Sequence, residues 1–511
     1  MQRKALLTLI IVLFATTFSS CSSENVTPAI ILDFETEHNS DFSALSENYP
    51  LPEEIAVFYS DLPTDTPEDT YELLARITLT SIKPMAPSVQ LSQNSFLLNS
   101  RYYVPAVPFW DPRNNVKREH ISETQLLPLE ELALPNKALS VDGNTIESPD
   151  YPLISKEFVE LVWNEAVVTQ GDKDSIVESV AALSHWFEKV KEHFQTTPSS
   201  PPKIVWIGAV GDIMVQRGVQ EILIRQGEKG LRRVFQNTLP ILQSQDLMIG
   251  NLEGAVTRRG APVPKSYNFR FSPEVLPPLS DAGFDYFSIT NNHCYDYGGQ
   301  GFVDTLVHLK EHGLLTSGAG EDPASAYAPV KVTIKNTAVS VLSVGAYGRE
   351  KNGFDGRRQA QVTDNRPGII FSGPRVLDTI QRTSNPNAID VIVAHGGEEW
   401  TSKPRADQKS FYRSCIDAGA DIVFAHHPHV LQGMEAYGGG LIAYSLGNFI
   451  FPGMYVMQHA EESLILSAGF HDSRIVYIKP YPVRIDNRVI ALDDPEGPIL
   501  PRFLELTKQL N

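Results

Sequence analysis

The chain has 511 residues, more than one compact core usually holds, so at least two domains are expected. With 42% hydrophobic and 20% charged residues, it has the composition of an ordinary globular protein. Its formal net charge of -18 argues against nucleic acid as a partner, because a phosphate backbone is bound by basic surfaces.

The first 20 residues have the pattern of a secretory signal peptide. Arg3 and Lys4 precede an apolar run at residues 6–14, which is too short to span a membrane comfortably. Cys21 directly follows two serines, an arrangement that resembles the lipobox of bacterial lipoproteins. We therefore expect lipidation at Cys21 and a lipid anchor in a bacterial membrane, with the protein in the cell envelope facing the periplasm or the exterior. Plain secretion, or an uncleaved anchor, is the alternative.

Residues 21–195 are expected to form a smaller N-terminal domain of α+β type, of unknown role. Residues 54–59 and 101–107 have the composition of strands. Residues 156–169 and 174–194 carry apolar side chains at helical spacing, which predicts two helices near its end. No catalytic cluster is found in this region.

Residues 196–202 predict a linker, because this Pro/Ser-rich stretch contains no large apolar side chain. The second domain is predicted over residues 203–490, with a C-terminal helix or tail at 491–511. Strand-like and helix-like segments alternate up to about Phe451, which indicates an α/β core. Residues 464–490 predict closing β-structure.

Six apolar runs of this domain end in polar residues. Their length and composition are typical of strands buried on both faces, and they lie at residues 204–210, 247–249, 286–289, 390–394, 420–424 and 441–444. In α/β sheets the ligand site lies beyond the carboxyl ends of the strands, so the polar ends predict one shared site. Three histidines in residues 426–429 favour a metal pocket there, since imidazole is the commonest metal ligand among side chains. A solvated histidine-rich turn is the alternative.

Six short motifs occur in order along this domain: GDIM at 211–214, GNLE at 250–253, TNNH at 290–293, HGGE at 395–398, HHPH at 426–429 and YSLGNF at 444–449. Together they resemble the CapA/PgsA family of capsule and poly-γ-glutamate biosynthesis proteins, over about residues 203–452. That family is in turn similar to the calcineurin-like metallophosphoesterases. The resemblance implies an α/β fold, a metallophosphatase-like sandwich of two mixed β-sheets flanked by helices, preceded here by the smaller α+β domain.

The resemblance also implies a site for one or two divalent metal ions, with Mn, Fe, Zn or Mg as candidates. By this resemblance Asp212 and His429 hold a first ion. Asn292, His395 and His427 hold a second. Such a pair of ions would share a bridging hydroxide and clamp a phosphate group.

The resemblance places His293 toward the substrate, as an acid or a phosphate-stabilising group. Two positions depart from the superfamily pattern. Met214 replaces an imidazole, and a thioether is a weak ligand for hard cations. Asn251 replaces the bridging aspartate, and Glu253 is the substitute if its side chain turns into the site. A single retained ion, or low phosphatase activity, is therefore an open alternative.

Lys265 and Arg270 lie in a loop that follows Glu253 and are the candidates for contacting an anionic polymer or a phosphoester. Their side chains could equally face solvent, because Arg270 lies in an alternating segment. Four further residues are expected to support ligands or loops from behind the site: Asp296, Glu398, His426 and Asn448. Of these, Asp296 would anchor His293.

Glu398 follows His395 closely enough to orient it, and Asn448 would either fix its loop or bind ligand. Cys294 and Cys415 lie far apart in the sequence, so no disulfide framework is indicated and buried free thiols are expected.

Three functions are compatible with these features. The first is an envelope lipoprotein that acts in synthesis, export or anchoring of a capsular polymer such as poly-γ-glutamate, within a capsule-synthesis or export complex. The second is a metal-dependent phosphoesterase with a periplasmic or cell-envelope substrate. The third is a non-enzymatic ligand-binding module. No Walker-type glycine loop is found, so energised ligation would require a partner.

Overall fold

The computed structural model describes residues 27–34, 51, 53, 55–59, 71–81, 95–100, 103–148, 151, 156–163, 174–194, 202–350, 353–486, 488–494 and 496–511. The predicted signal peptide, Cys21 and most of the predicted linker lie outside these residues. Within the described part of the chain, no helix combines the length and the apolar character that a membrane span requires.

In chain order, the first ten strands are β1 (Thr27–Phe34), β2 (Ala56–Tyr59), β3 (Tyr71–Ser81), β4 (Ser95–Ser100), β5 (Tyr103–Pro108), β6 (Asn115–Val116), β7 (Gln125–Pro128), β8 (Asn136–Ala138), β9 (Ser140–Val141) and β10 (Lys156–Trp163). The next nine are β11 (Val205–Ile213), β12 (Leu247–Leu252), β13 (Ala255–Val256), β14 (Arg270–Phe271), β15 (Tyr286–Ser288), β16 (Ala319–Gly320), β17 (Val330–Ile334), β18 (Thr337–Ala346) and β19 (Gly368–Ile369). The remaining described strands are β20 (Ala388–Gly396), β21 (Ile422–His426), β22 (Leu431–Tyr437), β23 (Gly440–Leu446), β24 (Asn448–Ile450), β25 (Glu462–His471), β26 (Arg474–Asp486) and β27 (Val489–Leu492).

The described α-helices are α1 (Asp174–Phe194), α2 (Val219–Phe235), α3 (Leu239–Gln243), α4 (Leu276–Asp281), α5 (Gly298–Glu311), α6 (Pro323–Ala326), α7 (Gly356–Ala360), α8 (Pro374–Thr383), α9 (Ala406–Asp417) and α10 (Ile499–Lys508). Short 3-10 helices lie at Arg118–Glu123, Leu129–Glu131, Gln236–Thr238 and Pro273–Val275.

The chain divides into two compact units, the first within residues 1–101 and 155–199. This unit contains a five-stranded sheet in the order β2-β1-β3-β10-β4 together with α1. Helix α1 buries Leu183, Phe187 and Val190, which share one helical face, so the helix predicted over residues 174–194 is confirmed. The helix predicted over residues 156–169 is wrong, because this segment begins with β10, which hydrogen-bonds antiparallel to both β3 and β4.

The second unit comprises residues 102–154 and 200–511. Two small sheets, β7-β5-β8 and β6-β9, lie in its first segment. Their apolar side chains share a buried cluster with Ile204, Val476 and Tyr477, and the backbone N–H of Ile146 donates to the Tyr477 hydroxyl at 3.1 Å. Residues 102–154 therefore lie in this unit, whereas the sequence placed them in the N-terminal domain.

Two mixed sheets form the body of the second unit. One has seven strands, in the order β15-β12-β11-β25-β26-β27 with β24 beside β11, and the other has six, in the order β17-β18-β20-β21-β23-β22. In the first sheet, β15, β12 and β11 run parallel at one side, and β25, β26 and β27 continue the sheet antiparallel. In the second sheet, the parallel strands β18, β20, β21 and β23 lie at the centre, and β17 and β22 pair antiparallel at the edges. The six runs predicted as strands are confirmed as β11, β12, β15, β20, β21 and β23.

Alternation along the central strands explains the layers. In β20, Val391 and Val393 face the cluster shared by both sheets, whereas Ile392 lies in the cluster beneath α8 and α9. In β11, Ile207 and Ala209 face the same shared cluster, whereas Val210 lies in the cluster beneath α2 and α4. Each sheet is thus buried on both faces, which requires the near-continuous apolar runs seen in the sequence. The predicted sandwich of two mixed sheets flanked by helices is confirmed.

Candidate metal centre

Strand register brings the polar strand ends together at one edge of the domain. In the first sheet, Asp212 at the end of β11 pairs with Asn251 on β12 and with Asn448 on β24. In the second sheet, His395 at the end of β20 pairs with His426 on β21. The convergence expected from the sequence is therefore present in both sheets.

Gly211 allows the backbone of β11 to approach the backbone at Gly447 closely. A Cβ atom at Gly211 would lie 2.2 Å from the carbonyl oxygen of Gly447, so only glycine permits this approach of the two backbones. The following N–H, that of Asp212, donates to the same carbonyl oxygen at 3.0 Å. The Asp212 carboxylate is thereby fixed beside the turn that carries the histidines.

Asp212 is fully buried and contacts both the first sheet and the histidine turn that follows a strand of the second. Its Oδ1 accepts from Asn251 Nδ2 at 2.8 Å. Its Oδ2 lies 3.1 Å from His429 Nδ1 and accepts from the backbone N–H of His427 at 3.4 Å. Burial alone would raise the pKa of Asp212, but the hydrogen bond and charge of His429 hold it below its usual value.

His395 lies between two amides. Its Nε2 is 3.0 Å from Asn292 Oδ1 and its Nδ1 is 3.3 Å from Asn251 Nδ2, so Nε2 carries the proton and Nδ1 accepts. Burial lowers the pKa of His395 well below its usual value, and neighbouring His427 lowers it further. A neutral imidazole of this kind is ready to act as a metal ligand.

The Glu253 side chain also points into the site, which is the condition for it to replace the bridging aspartate. Its side chain is fully buried, yet neither carboxylate oxygen has a hydrogen-bond partner among the described residues. Oε1 lies 3.7 Å from His429 Nε2 and 3.8 Å from His293 Nε2. Burial raises the pKa of Glu253 well above its usual value, and the charge of Asp212 adds to this. A buried carboxylate without a partner is costly, and a cation placed between these side chains would satisfy it.

The histidine turn itself has unusual backbone geometry. His427 and His429 have positive φ angles of 99° and 59°, a region that non-glycine residues adopt rarely and mostly at functional sites. Burial and the charge of His429 lower the pKa of His427 to about 3. Burial would lower the pKa of His429 as well, but Glu253 and Asp212 raise it to about 10. His429 is therefore the cation that balances Asp212.

Two groups of side chains present ligand atoms within 4.8 Å of one another, close enough to hold a metal ion, and they are Asp212 with Glu253 and His395, and Glu399 with His427 and His429. The seven residues predicted as ligands all lie in this cluster, linked by the contacts above: Asp212, Asn251, Glu253, Asn292, His395, His427 and His429. Their grouping differs from the one that the resemblance implied. Their role as ligands stays a prediction.

Glu399 was missed by sequence reasoning. Its only signal was its place directly after the HGGE motif, in the loop that follows a buried strand. Glu398, the residue predicted to orient His395, does not do so. Both ring nitrogens of His395 face amides, and the Glu398 side chain is on the exposed part of the loop.

His293 lies at the edge of the cluster and is anchored as predicted. Its Nδ1 is 2.6 Å from Asp296 Oδ2, so the imidazole N–H donates to the carboxylate and Nε2 points toward Glu253. Burial lowers the pKa of His293, although Asp296 opposes this shift. The neutral ring therefore accepts a proton at Nε2 and must first be protonated before it serves as an acid.

Lys265 lies beneath the His293 loop. Its side chain has no exposed surface, and its ammonium lies 3.1 Å from Asp296 Oδ1 and 3.0 Å from Glu350 Oε1. It also donates to the backbone oxygen of Asn292 at 2.8 Å. Lys265 thus positions the loop that carries Asn292 and His293, and this differs from the expected contact with a ligand.

Arg270, the second candidate for ligand contact, is exposed, and its guanidinium lies 4.6 Å from the ring centroid of Tyr297. Two other predicted supporting residues hold the histidine turn. Asn448 Oδ1 lies 2.9 Å from His429 Nδ1 and its amide donates to the His429 carbonyl. His426 Nε2 donates to the Val210 carbonyl at 2.8 Å, so it ties the second sheet to the first.

Met214 is a core side chain. It is fully buried in the apolar cluster beneath α2 and α4, and its backbone N–H donates to the carbonyl of Ile450 at 2.6 Å. At the position where the superfamily has an imidazole, this chain therefore has an apolar core side chain. Cys294 and Cys415 are both buried free thiols, as predicted.

Residues 206–453 match the model of the family described as "Bacterial capsule synthesis protein PGA_cap". The chain is 33% identical over 245 residues to the PGA biosynthesis protein CapA of Bacillus subtilis (strain 168), which covers 47% of this chain and 62% of that protein. It is 32% identical over 287 residues to the capsule biosynthesis protein CapA of Bacillus anthracis, which covers 54% of this chain and 66% of that protein. The chain thus spans slightly less than two thirds of each relative. The predicted resemblance to this family is confirmed.

Solved structures share a weaker likeness. A hypothetical protein from Thermus thermophilus has a TM-score of 0.36 at 14% identity, with 55% of this chain and 100% of that chain covered. A novel phosphatase from Mycoplasma pneumoniae has a TM-score of 0.36 at 12% identity, with 60% and 97% covered. TM-scores this low support no conclusion about the fold, which rests on the strand order described above.

The burial of Met214 predicts the effect of restoring the superfamily's histidine. Met214→His should lower the free energy of unfolding by about 1–3 kcal/mol, because it places an unsatisfied polar ring in an apolar cluster. It should add no metal ion per chain. Met214→Leu, which keeps the volume, should cost less than about 1.5 kcal/mol. Urea unfolding and metal analysis measure both effects, and a stable Met214→His protein with an extra ion would contradict this placement.

The burial of Lys265 predicts a large effect on stability. Lys265→Met should lower the free energy of unfolding by about 3–5 kcal/mol, because it leaves two carboxylates without their buried cation. Arg270→Met is the matched control and should cost less than about 1 kcal/mol, since it removes only an exposed contact with Tyr297. Equal stabilities of the two variants in urea would show that Lys265 is not the cation that holds this loop.

Proposed function

We propose that this protein acts in synthesis, export or anchoring of an anionic capsular polymer such as poly-γ-glutamate. The observation that carries the proposal is the match of residues 206–453 to the PGA_cap family, together with the two Bacillus relatives named for capsule or PGA biosynthesis. We further propose that Cys21 carries a lipid that holds the protein at the cell envelope, within a capsule-synthesis or export complex.

The charge of the chain supports a role for the metal centre in this function. With a formal net charge of -18, the protein as a whole repels a polyanion. An anionic polymer therefore needs a local positive charge. Asp212, Glu253 and His395 would hold a divalent ion, of which Mn, Fe, Zn and Mg are the candidates. When bound, such an ion supplies positive charge and polarises a carboxyl or phosphoryl oxygen.

A gene deletion in the bacterium that carries this chain tests the capsule proposal. The deletion should reduce the anionic polymer on the cell surface, and the wild-type gene should restore it. His395→Ala should fail to restore the polymer because the metal centre is lost. The matched control is His308→Ala, a histidine on the surface of α5 whose Nδ1 contacts Glu311. Polymer and protein are quantified in the same cell fractions.

The same strains test the lipid anchor. Cys21→Ala protein should lose acyl labelling and leave the membrane fraction.

Unchanged surface polymer in the deletion strain would overturn the capsule proposal. Full restoration by His395→Ala would show that the function does not depend on the metal centre, and a Cys21→Ala protein that stays labelled would overturn lipidation.

A metal-dependent phosphoesterase is the second candidate function, and the geometry of His293 favours it. Its Nε2 faces the unpartnered Glu253 carboxylate at 3.8 Å, while Asp296 fixes its ring through Nδ1. An oriented imidazole beside candidate metal ligands can exchange a proton with a substrate or a leaving group. Asn292 and His395 would hold the phosphoester's ion, and Lys265 keeps the loop of Asn292 in place.

Purified protein loaded with Mn²⁺ or Zn²⁺ should hydrolyse a nitrophenyl phosphomonoester or phosphodiester, and a chelator should stop the reaction. His293→Gln should reduce turnover by about 10²–10⁴-fold with metal content unchanged, since it removes the proton-accepting group. His308→Ala is again the control. If metal-loaded wild-type protein hydrolyses neither ester, the phosphoesterase candidate fails and the capsule proposal is unaffected.

A further inference from the structure

We propose that Glu399 closes a second metal site with His427 and His429, beside the site formed by Asp212, Glu253 and His395. This inference deepens the proposed metal-dependent function and rests on it. The resemblance to the capsule proteins assigned no role to Glu399 and divided the histidines differently. The proposed site takes a divalent transition ion, bound by two imidazoles and one carboxylate.

The first support is the distance between the ligand atoms. One ligand atom from each of Glu399, His427 and His429 lies within 4.8 Å of the others. Ligands bonded at about 2.1 Å to a tetrahedral ion lie about 3.4 Å apart. Both imidazoles are buried, whereas Glu399 is exposed. The separations in this structure therefore exceed those around a bound tetrahedral ion by at most about 1.4 Å, and Glu399 is the exposed side chain of the three.

The second support is an unpartnered nitrogen. His427 is buried, with 7% of its surface exposed, and its Nδ1 has no hydrogen-bond partner among the residues that the structure describes. Buried polar atoms nearly always have a partner, and one without a partner at a cluster of ligand atoms is available to bind an ion.

The third support is the loop that carries Glu399. The neighbouring residue Trp400 donates its backbone N–H to the carbonyl of Pro428 at 2.8 Å, between the two histidines. The Trp400 ring also stacks on His429, with centroids 5.1 Å apart and an angle of 28° between the planes. The carbonyl of Thr401 accepts from Gln432 Nε2 at 2.8 Å. These contacts hold the loop against the histidine turn and place Glu399 beside His427 and His429.

The chemistry of the three ligands indicates the class of ion. Two imidazoles and one carboxylate, with the remaining positions open, bind Zn²⁺ or Fe²⁺ in catalytic sites. Mg²⁺ and Ca²⁺ prefer sets of oxygen ligands. An ion held partly by the exposed Glu399 faces solvent, so its open positions are accessible to an anionic group of the substrate. The site would thus compensate for the imidazole that Met214 has replaced.

Metal titration of the full-length protein tests this site. Apoprotein is titrated calorimetrically with Zn²⁺, and bound zinc is counted by mass spectrometry after dialysis. Wild-type protein should bind two ions. Glu399→Gln should weaken one of them by more than about tenfold, because it removes a direct ligand. The matched control is Glu398→Gln, which changes the adjacent exposed carboxylate of the same loop and should leave both ions unchanged. Glu253→Gln should weaken the other ion.

The outcomes separate this inference from the function on which it rests. If wild-type protein binds one ion, and Glu253→Gln weakens it while Glu399→Gln does not, the second site is overturned and the proposed metal centre stands. Equal weakening by Glu398→Gln and Glu399→Gln also overturns it, because the effect is then one of general charge. If wild-type protein binds no ion, the metal-dependent function itself fails. Thermal unfolding of each apoprotein shows whether the variants keep the fold.

Discussion

The buried carboxylate of Asp212 joins the two sheets of the domain. It ends a strand of the first sheet and accepts hydrogen bonds from Asn251 of that sheet and from the turn of His427 and His429 that follows the second. Displacement of either sheet would leave this carboxylate buried and unpaired, which costs several kcal/mol by order of magnitude. The register of the strands and the close backbone approach at Gly211 therefore act together, and the position of every candidate ligand depends on them.

Charge balance within the cluster explains why it suits a cation. Asp212 and Glu253 are both fully buried, and the cation nearest to them is an imidazole, that of His429. Without a metal ion, the pKa of Glu253 is raised by burial and that of His429 is raised by the two carboxylates. A divalent ion between these side chains would stabilise the charged form of both carboxylates. Lys265 does not provide this balance, because its ammonium is already paired with Asp296 and Glu350.

The sequence predicted the sandwich and the cluster because strands buried on both faces require apolar runs, and because ligand sites lie at their carboxyl ends. It did not predict that residues 102–154 dock on the second unit, since this depends on partners such as Tyr477 that lie far along the chain. Nor does sequence give the direction of a charged side chain, so the burial of Lys265 was not foreseen. Between the adjacent residues Glu398 and Glu399, only the path of the loop decides which one faces the histidines.

The two candidate functions place different demands on the same site. An anionic polymer and a phosphoester both need local positive charge on a protein whose formal net charge is -18, and a metal ion supplies it in either case. Hydrolysis requires in addition a group that exchanges a proton at a fixed position. His293 is held for this by Asp296, which is itself held by the buried ammonium of Lys265. The Lys–Asp–His chain holds the His293 imidazole at such a fixed position, so this part of the site meets the additional demand of the phosphoesterase candidate.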